Sequence, residues 1–119
     1  MSTMEQPNQG VIDLDRARSR VAGDEEMLKE LAQIFLDESP GWHKRIEAAV
    51  NDGDAKALFR AAHDIKGSAE VFGAENAAST AKTLERMGRN ESLDDADETL
   101  GALKAEMVWV RQALEDYLK

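Results

Sequence analysis

Apolar residues recur every three or four positions along most of the chain, which predicts a protein built of helices. The first long stripe consists of Leu28, Leu31, Phe35, Trp42, Ile46 and Ala49. Pro40 interrupts this stripe without shifting its phase, so we expect a kink at that point rather than a reversal. Two further stripes consist of Leu58, Ala61, Ile65, Ala69 and Phe72, and of Ala77, Ala81, Leu84 and Met87.

Residues that favour caps and turns separate these stripes. Asp13 can cap a short helix, "LDRARSRV", and Asp24 can cap the long one that follows, because an aspartate side chain accepts hydrogen bonds from the first turn. The "NDGD" stretch at 51–54 predicts a turn that ends in a further cap. Gly73 is a predicted helix stop and Gly88 a predicted C-cap.

The last helix is predicted to open at Ser92, and its stripe keeps helical spacing for about seven turns. The stripe consists of Leu93, Leu100, Leu103, Met107, Val110, Leu114 and Tyr117. No segment alternates with a period of two, so strands are not expected. The pattern predicts an all-α fold, an antiparallel up-down four-helix bundle with a short extra N-terminal helix. We expect residues 1–10 to form a mobile leader and residues 11–119 the bundle domain.

Composition and charge narrow the function. A chain of 119 residues with 42% apolar and 33% charged residues suits one globular domain. It has no cysteine, which excludes disulfides and thiolate metal sites. The net charge of −9 disfavours nucleic acid and anionic membranes as main partners. The sequence has neither a secretory signal nor an apolar run of about 20 residues, so we expect a cytoplasmic protein.

His63 lies inside a helical pattern but on the side away from its apolar stripe. At about 100° per residue, the stripe residues Leu58, Ala61, Ile65, Ala69 and Phe72 centre roughly opposite His63. Lys56, Phe59, Arg60, Lys66, Gly67 and Glu70 share its side and are expected at the surface. The imidazole is therefore predicted to be accessible.

Gly67 follows His63 by one helical turn, and glycine within a helix costs about 1 kcal/mol relative to alanine. The missing side chain leaves room beside the imidazole for a phosphoryl group or for another protein's backbone. Lys66 places an ammonium group near the same space, where it can stabilise a phosphoryl group. This arrangement indicates a docking site for phosphorylation.

The residues "HDIKGSAEVFGA", followed by "LERMGR" at 84–89, resemble the histidine-containing phosphotransfer (HPt) family. The resemblance covers roughly residues 11–118, and its H-x-x-K-G-S core is complete. It implies that His63 is the phosphoacceptor, that its Nε2 takes the phosphoryl group, and that Glu85 orients the other ring nitrogen. A carboxylate that accepts from Nδ1–H would leave Nε2 as the free lone pair. Lys82 and Arg89 sit at salt-bridge spacing from Glu85, so an ordinary surface glutamate is the alternative.

Charge along the chain supports a protein partner with an acidic site. Residues 56–89 contain six Lys or Arg residues and four Asp or Glu residues, a net charge of +2 that leaves −11 on the rest. Such a locally basic region can steer an encounter with a cluster of carboxylates. Chance clustering of the charges is the alternative interpretation.

No nucleotide-binding or kinase motif appears, so we expect a phosphotransfer intermediate without enzymatic activity or a cofactor of its own. The resemblance implies that partner receiver domains supply Mg²⁺. We expect those receivers and a hybrid sensor kinase as partners, and a monomeric protein. The alternatives are the phosphoacceptor domain of a chemotaxis-type kinase, and a helical adaptor that is never phosphorylated. The positions of Met1 and of the last helix favour a freestanding protein over an excised kinase domain. His43 lacks a glycine one turn later and is expected to be a solvated or capping side chain.

Overall fold

Five helices and no strand make up residues 10–119, the part of the chain that this computed structural model describes. In chain order they are α1 (Leu14–Arg20), α2 (Glu25–Asp52), α3 (Ala55–Val71), α4 (Glu75–Arg89) and α5 (Ala96–Leu118). The predicted all-α class, with four long helices and one short N-terminal helix, is confirmed. The predicted mobile leader, residues 1–10, lies outside the described residues except for Gly10.

The four long helices pack as a square bundle in which each contacts its two neighbours, so that α3 and α5 occupy opposite corners. Side-chain contacts show that α2 and α5 run antiparallel, because residues later in α5 pair with residues earlier in α2. These pairs are Glu47 with Lys104, Ser39 with Arg111, and Glu25 with Tyr117. The apolar stripes meet inside the bundle, where Leu28, Ile46, Leu58, Ile65, Leu84 and Leu103 are fully buried. The face predicted to lie opposite His63 is part of this core.

Aspartate caps fix where the first three helices begin. The side chains of Asp13, Asp24 and Asp54 accept hydrogen bonds from the backbone N–H groups of Arg16, Met27 and Ala57, each the third residue of its helix. These caps were all predicted. Gly73 follows α3 with φ of +63°, and a Cβ there would lie 2.6 Å from the Asp13 Cβ, which confirms the stop and explains its residue type.

Three predicted boundaries are wrong. Asn51 and Asp52 still belong to α2, so the turn shrinks to Gly53 and Asp54. Gly88 is not a C-cap but lies within α4, where it is buried. The last helix opens at Ala96 rather than at Ser92, because a left-handed residue, Glu91, turns the chain and the N–H of Ser92 bonds back to Met87.

The long helix α2 continues through Pro40, so the predicted absence of a reversal is confirmed. Proline has no N–H, which deprives the Leu36 carbonyl of its usual partner four residues later. Two side chains donate to that carbonyl instead, Ser39 Oγ and Arg111 Nη1, each at 3.2 Å. Arg111 also donates to Ser39 Oγ and thereby joins α5 to α2 where proline interrupts the helix.

His43 is half-buried between α2 and α5, so the expected solvated side chain is wrong. Its Nδ1 is enclosed and makes no hydrogen bond. Burial lowers the pKa of His43, and the nearby cations Lys104 and Arg111 lower it further, while Glu47 opposes them. The neutral form therefore fits this environment better than the cation does.

We expect the free energy of unfolding to fall as the pH drops below about 6.5, the ordinary histidine pKa. The folded state binds the His43 proton less readily than the unfolded state, so the stability that neutral His43 provides is present above that pH. It is lost as the pH falls through the lower pKa of the folded protein. Urea unfolding of the native protein and His43→Gln at pH 7.5 and 5.5 checks this, because the variant should lose part of the pH dependence. Equal pH dependence in the two proteins would contradict it.

Candidate functional site

His63 lies midway along α3 and points away from the core, as its position in the sequence predicts. About 60% of its side chain is exposed, whereas its neighbours Ala62 and Ile65 are fully buried. One ring nitrogen, Nδ1, faces helix α4, and within residues 10–119 no protein group bonds to the other nitrogen, Nε2. The imidazole is thus held on one side and open on the other.

Glu85 of α4 holds the inner side of this ring. Its Oε2 lies 2.6 Å from His63 Nδ1 and its Oε1 lies 2.9 Å from Lys66 Nζ. Only 3% of Glu85 is exposed, so the alternative of an ordinary surface glutamate is wrong. Arg89 is a more distant partner, with Nη2 3.9 Å from the same Oε1. A buried carboxylate needs such partners, because burial without them is strongly unfavourable.

The charge state of Glu85 determines where the His63 proton lies. Burial by itself raises the pKa of this carboxyl group, but the hydrogen bonds from Lys66 and His63 outweigh it and bring the pKa below its ordinary value. Glu85 is therefore ionised at neutral pH and can only accept hydrogen bonds. Nδ1 must donate, so the neutral ring carries its proton on Nδ1 and an unprotonated lone pair on Nε2.

Lys66 lies one turn after His63 and is four-fifths buried along the α3–α4 boundary. Its ammonium group contacts Glu85 on the Nδ1 side of the ring. Its position in the sequence predicts a place near the surface beside a phosphoryl group, whereas in the structure it is the counter-ion of the carboxylate that holds the histidine. The prediction that Lys66 acts on a phosphoryl group remains untested by this geometry.

Gly67 occupies the exposed surface one turn beyond His63. A Cβ built on it meets no atom within 4 Å, so nothing inside the described part of the protein requires glycine there. The backbone is ordinary α-helix, and left-handed geometry is not the reason either. What the residue provides is open surface beside the imidazole.

Phe59 and Arg89 complete the site, although the sequence pattern predicted no site role for Phe59 and only a salt bridge to Glu85 for Arg89. The Phe59 ring stacks on His63, with centroids 6.1 Å apart and planes 17° from parallel. The Arg89 guanidinium lies 5.5 Å from the centroid of Phe59, within cation–π range. Phe59 precedes His63 by one helical turn, and this spacing was the available signal. Phe59 therefore covers one flank of the imidazole, and Arg89 packs on Phe59.

Other kinds of site find little support in the described structure. Among residues 10–119, no three His, Cys, Asp or Glu side chains are arranged to hold a metal ion. In the same range, no helix is long and apolar enough to cross a membrane.

Comparison with known families identifies this arrangement. The family model for the Hpt domain matches residues 30–116, which contain His63, Lys66, Gly67 and Glu85. The chain belongs to the Hpt family. Its fold is similar to the crystal structure of histidine-containing phosphotransfer protein B (HptB) from Pseudomonas aeruginosa PAO1, with 27% identity and a TM-score of 0.84. That match covers 91% of this chain and 94% of HptB, while a comparison with curated proteins finds no match.

Membership of the Hpt family confirms the resemblance and makes the chain a histidine phosphotransfer protein of a two-component phosphorelay. Hpt proteins interact with receiver domains and kinases, and they are not kinases themselves. The four long helices of this Hpt protein and the site on α3 and α4 fit that function.

We expect Glu85→Ala to shift the tautomer balance of His63 toward Nε2–H, because the ring loses the acceptor that keeps the proton on Nδ1. Nitrogen-15 NMR of the imidazole at a pH where the ring is neutral measures the ratio directly. The variant should also unfold about 1–3 kcal/mol more easily, since Lys66 loses a largely buried partner.

Glu85→Gln is the matched control, because its amide oxygen can still accept from Nδ1–H. We expect it to retain more of the Nδ1–H tautomer than Glu85→Ala does. An unchanged tautomer ratio in Glu85→Ala would show that Glu85 is structural and does not orient the ring.

Proposed function

We propose that His63 is the phosphoacceptor and relays a phosphoryl group between receiver-domain aspartates. The observation that carries this proposal is the arrangement of its ring, in which an ionised, buried Glu85 accepts from Nδ1 while Nε2 is unbonded on an exposed side chain. Nucleophilic catalysis needs such a group, with a free lone pair and a partner that orients it.

In the transfer, the Nε2 lone pair attacks the phosphorus of an aspartyl phosphate on the receiver. The N–P bond forms as the acyl P–O bond breaks, and the aspartate leaves as a carboxylate. The ring keeps its Nδ1 proton and becomes cationic, and Glu85 lies 2.6 Å from Nδ1 to stabilise that charge. The reverse reaction passes the phosphoryl group to the next aspartate.

The remaining requirements fall on the partner. Phosphoryl transfer depends on in-line positioning and on neutralising the charge of the phosphoryl oxygens. We assign the Mg²⁺ to the receiver, which makes this chain a phosphotransfer intermediate with no cofactor and no catalytic activity of its own. The net +2 of residues 56–89 favours an acidic receiver surface, and the net −9 of the whole chain disfavours nucleic acid and anionic membranes. We further propose that the protein acts as a cytoplasmic monomer and receives phosphoryl groups from a hybrid sensor kinase.

Incubation with a panel of receiver domains, each phosphorylated beforehand by a small-molecule donor, tests the assignment. We expect acid-labile, alkali-stable phosphate to appear on this chain with at least one receiver and to return to a second. Labelling only by an ATP-binding kinase domain would instead indicate the phosphoacceptor domain of a chemotaxis-type kinase. No labelling from either source would indicate an adaptor.

We expect Lys66→Ala to slow labelling of His63 by about tenfold, because the site loses the positive charge that balances Glu85, the carboxylate that orients the ring. Without that ammonium, burial should also raise the pKa of Glu85. Stopped-flow transfer from a phosphorylated receiver measures the rate, and carbon-13 NMR of the carboxyl group measures its pKa. Lys44→Ala, at an exposed position on α2, is the control for loss of one lysine charge. Equal transfer rates in the two variants would show that Lys66 has no specific role in phosphoryl transfer.

A further inference from the structure

Gly88 lies inside α4, buried against the first turns of α3. A Cβ at this position would lie 2.7 Å from the carbonyl oxygen of Ala55 and 2.7 Å from the backbone nitrogen of Phe59. Both are backbone atoms, so neither can rotate away as a side chain would. Any other residue would therefore force α4 away from α3, and only glycine permits the distance at which the two helices pack.

The contact of Gly88 with α3 lies beside the functional site. Glu85, which bonds to His63 Nδ1, precedes Gly88 by three residues and so lies on the same side of α4. Arg89, the next residue, places its guanidinium against the ring of Phe59. The backbone of Phe59 is the part of α3 that Gly88 contacts, and the side chain of the same residue stacks on His63.

Both hydrogen bonds of Glu85 weaken as α4 moves away from α3. Glu85 reaches His63 at 2.6 Å and Lys66 at 2.9 Å, whereas hydrogen bonds weaken beyond about 3.2 Å. A Cβ at Gly88 must gain several tenths of an ångström from each of two backbone atoms, because contacts under 3.0 Å do not occur in real structures. A displacement of that size at Gly88 is carried along the rigid helix to Glu85, one turn away.

We propose that Gly88 is a positioning residue, which acts through Glu85 to hold the His63 proton on Nδ1 and keep Nε2 free. The role differs from that of Gly67, whose surroundings are open and whose absent side chain faces outward. The effect on the histidine ring stands on the geometry of α3 and α4 alone. Its consequence for phosphoryl transfer rests on the proposed function of His63.

The test is Gly88→Ala, with Gly101→Ala as the matched control, since Gly101 lies in α5 and has open space around it. Nitrogen-15 NMR should show that Gly88→Ala shifts His63 toward the Nε2–H tautomer, whereas Gly101→Ala leaves the ratio unchanged. Transfer from a phosphorylated receiver should slow by about ten- to a hundredfold in Gly88→Ala only, because small misplacements of reacting groups have effects of that size. If Gly88→Ala is too unstable to fold, the same tautomer ratio is measured in the double variant Gly88→Ala/Gly101→Ala. Alanine at the exposed helical position 101 raises the stability of the protein and offsets part of the loss.

A double-mutant cycle with Glu85→Ala separates positioning from a general loss of packing. In the Glu85→Ala background, Gly88→Ala should cause no further tautomer shift, because the group through which it acts is gone. An unchanged tautomer ratio in folded Gly88→Ala would overturn the proposal and leave Gly88 a packing residue. This readout needs no phosphorylation, so a failure of the proposed function, seen as full labelling of His63→Gln, is recognised separately.

Discussion

Replacing His63 with glutamine should reduce phosphorylation by receivers to background while the protein stays folded. The ring is 60% exposed and contributes little to the core, so we expect the free energy of unfolding to change by less than about 1 kcal/mol. Glutamine keeps an N–H donor near Glu85 but has no nitrogen lone pair that can attack phosphorus. Phosphorylation assays with radiolabelled receivers measure the loss, and circular dichroism measures the fold.

His43→Gln is the matched control, because it removes the other histidine of the chain from a half-buried position between α2 and α5. It should accept phosphoryl groups as the native protein does. Full labelling of His63→Gln, or loss of labelling in His43→Gln alone, would contradict the assignment of the phosphoacceptor.

The second large effect is expected at Gly67, where glutamine should slow phosphoryl transfer by at least about tenfold without disturbing the fold. The added side chain would project from α3 beside the imidazole and occupy the space that a receiver must enter. Because glutamine is a better helix former than glycine, the variant should be more stable by about 0.5–1 kcal/mol. Transfer kinetics and urea unfolding, measured on the same preparation, show both effects.

Gly101→Gln tests whether the Gly67 effect is local. Gly101 is also an exposed helical glycine in open space, but it lies on α5, at the opposite corner of the bundle from α3. We expect the same gain in stability and unchanged transfer. If Gly67→Gln transferred phosphoryl groups at the native rate, the steric explanation of this glycine would be wrong.

The bundle could be predicted because the spacing of apolar residues along each helix shows which of its faces is buried. The stripe on α3 placed Ile65 in the core and His63 on the surface, and the aspartates before α1, α2 and α3 cap them as predicted. These features depend on spacing within one helix, which the sequence displays directly.

Contacts between helices could not be predicted as well from the sequence. Gly88 was interpreted as a C-cap because glycine near the end of a stripe is typical of one, yet it lies inside α4 against the backbone of α3. The bond from Arg111 to the Leu36 carbonyl spans 75 residues, and nothing in the local pattern around Pro40 indicates it. Phe59 was placed beside His63, but its stack depends on rotamers that spacing does not determine.

The role of Glu85 could be predicted only in part. Its spacing allowed a surface salt bridge with Lys82 or Arg89, and the family resemblance pointed to the histidine instead. The structure shows a buried carboxylate that contacts both His63 and Lys66. The sequence could suggest the partner, but the burial that makes the pairing necessary depends on how closely α4 packs against α3.

The most direct test of the central claim is to find the atom that carries the phosphoryl group. Nitrogen-15-labelled protein, phosphorylated by a receiver and kept at alkaline pH, should show phosphorus coupling to a single imidazole nitrogen in its NMR spectrum. We predict that this nitrogen is Nε2 of His63, because Glu85 contacts Nδ1. Coupling to Nδ1, to His43, or to no histidine nitrogen would contradict the account.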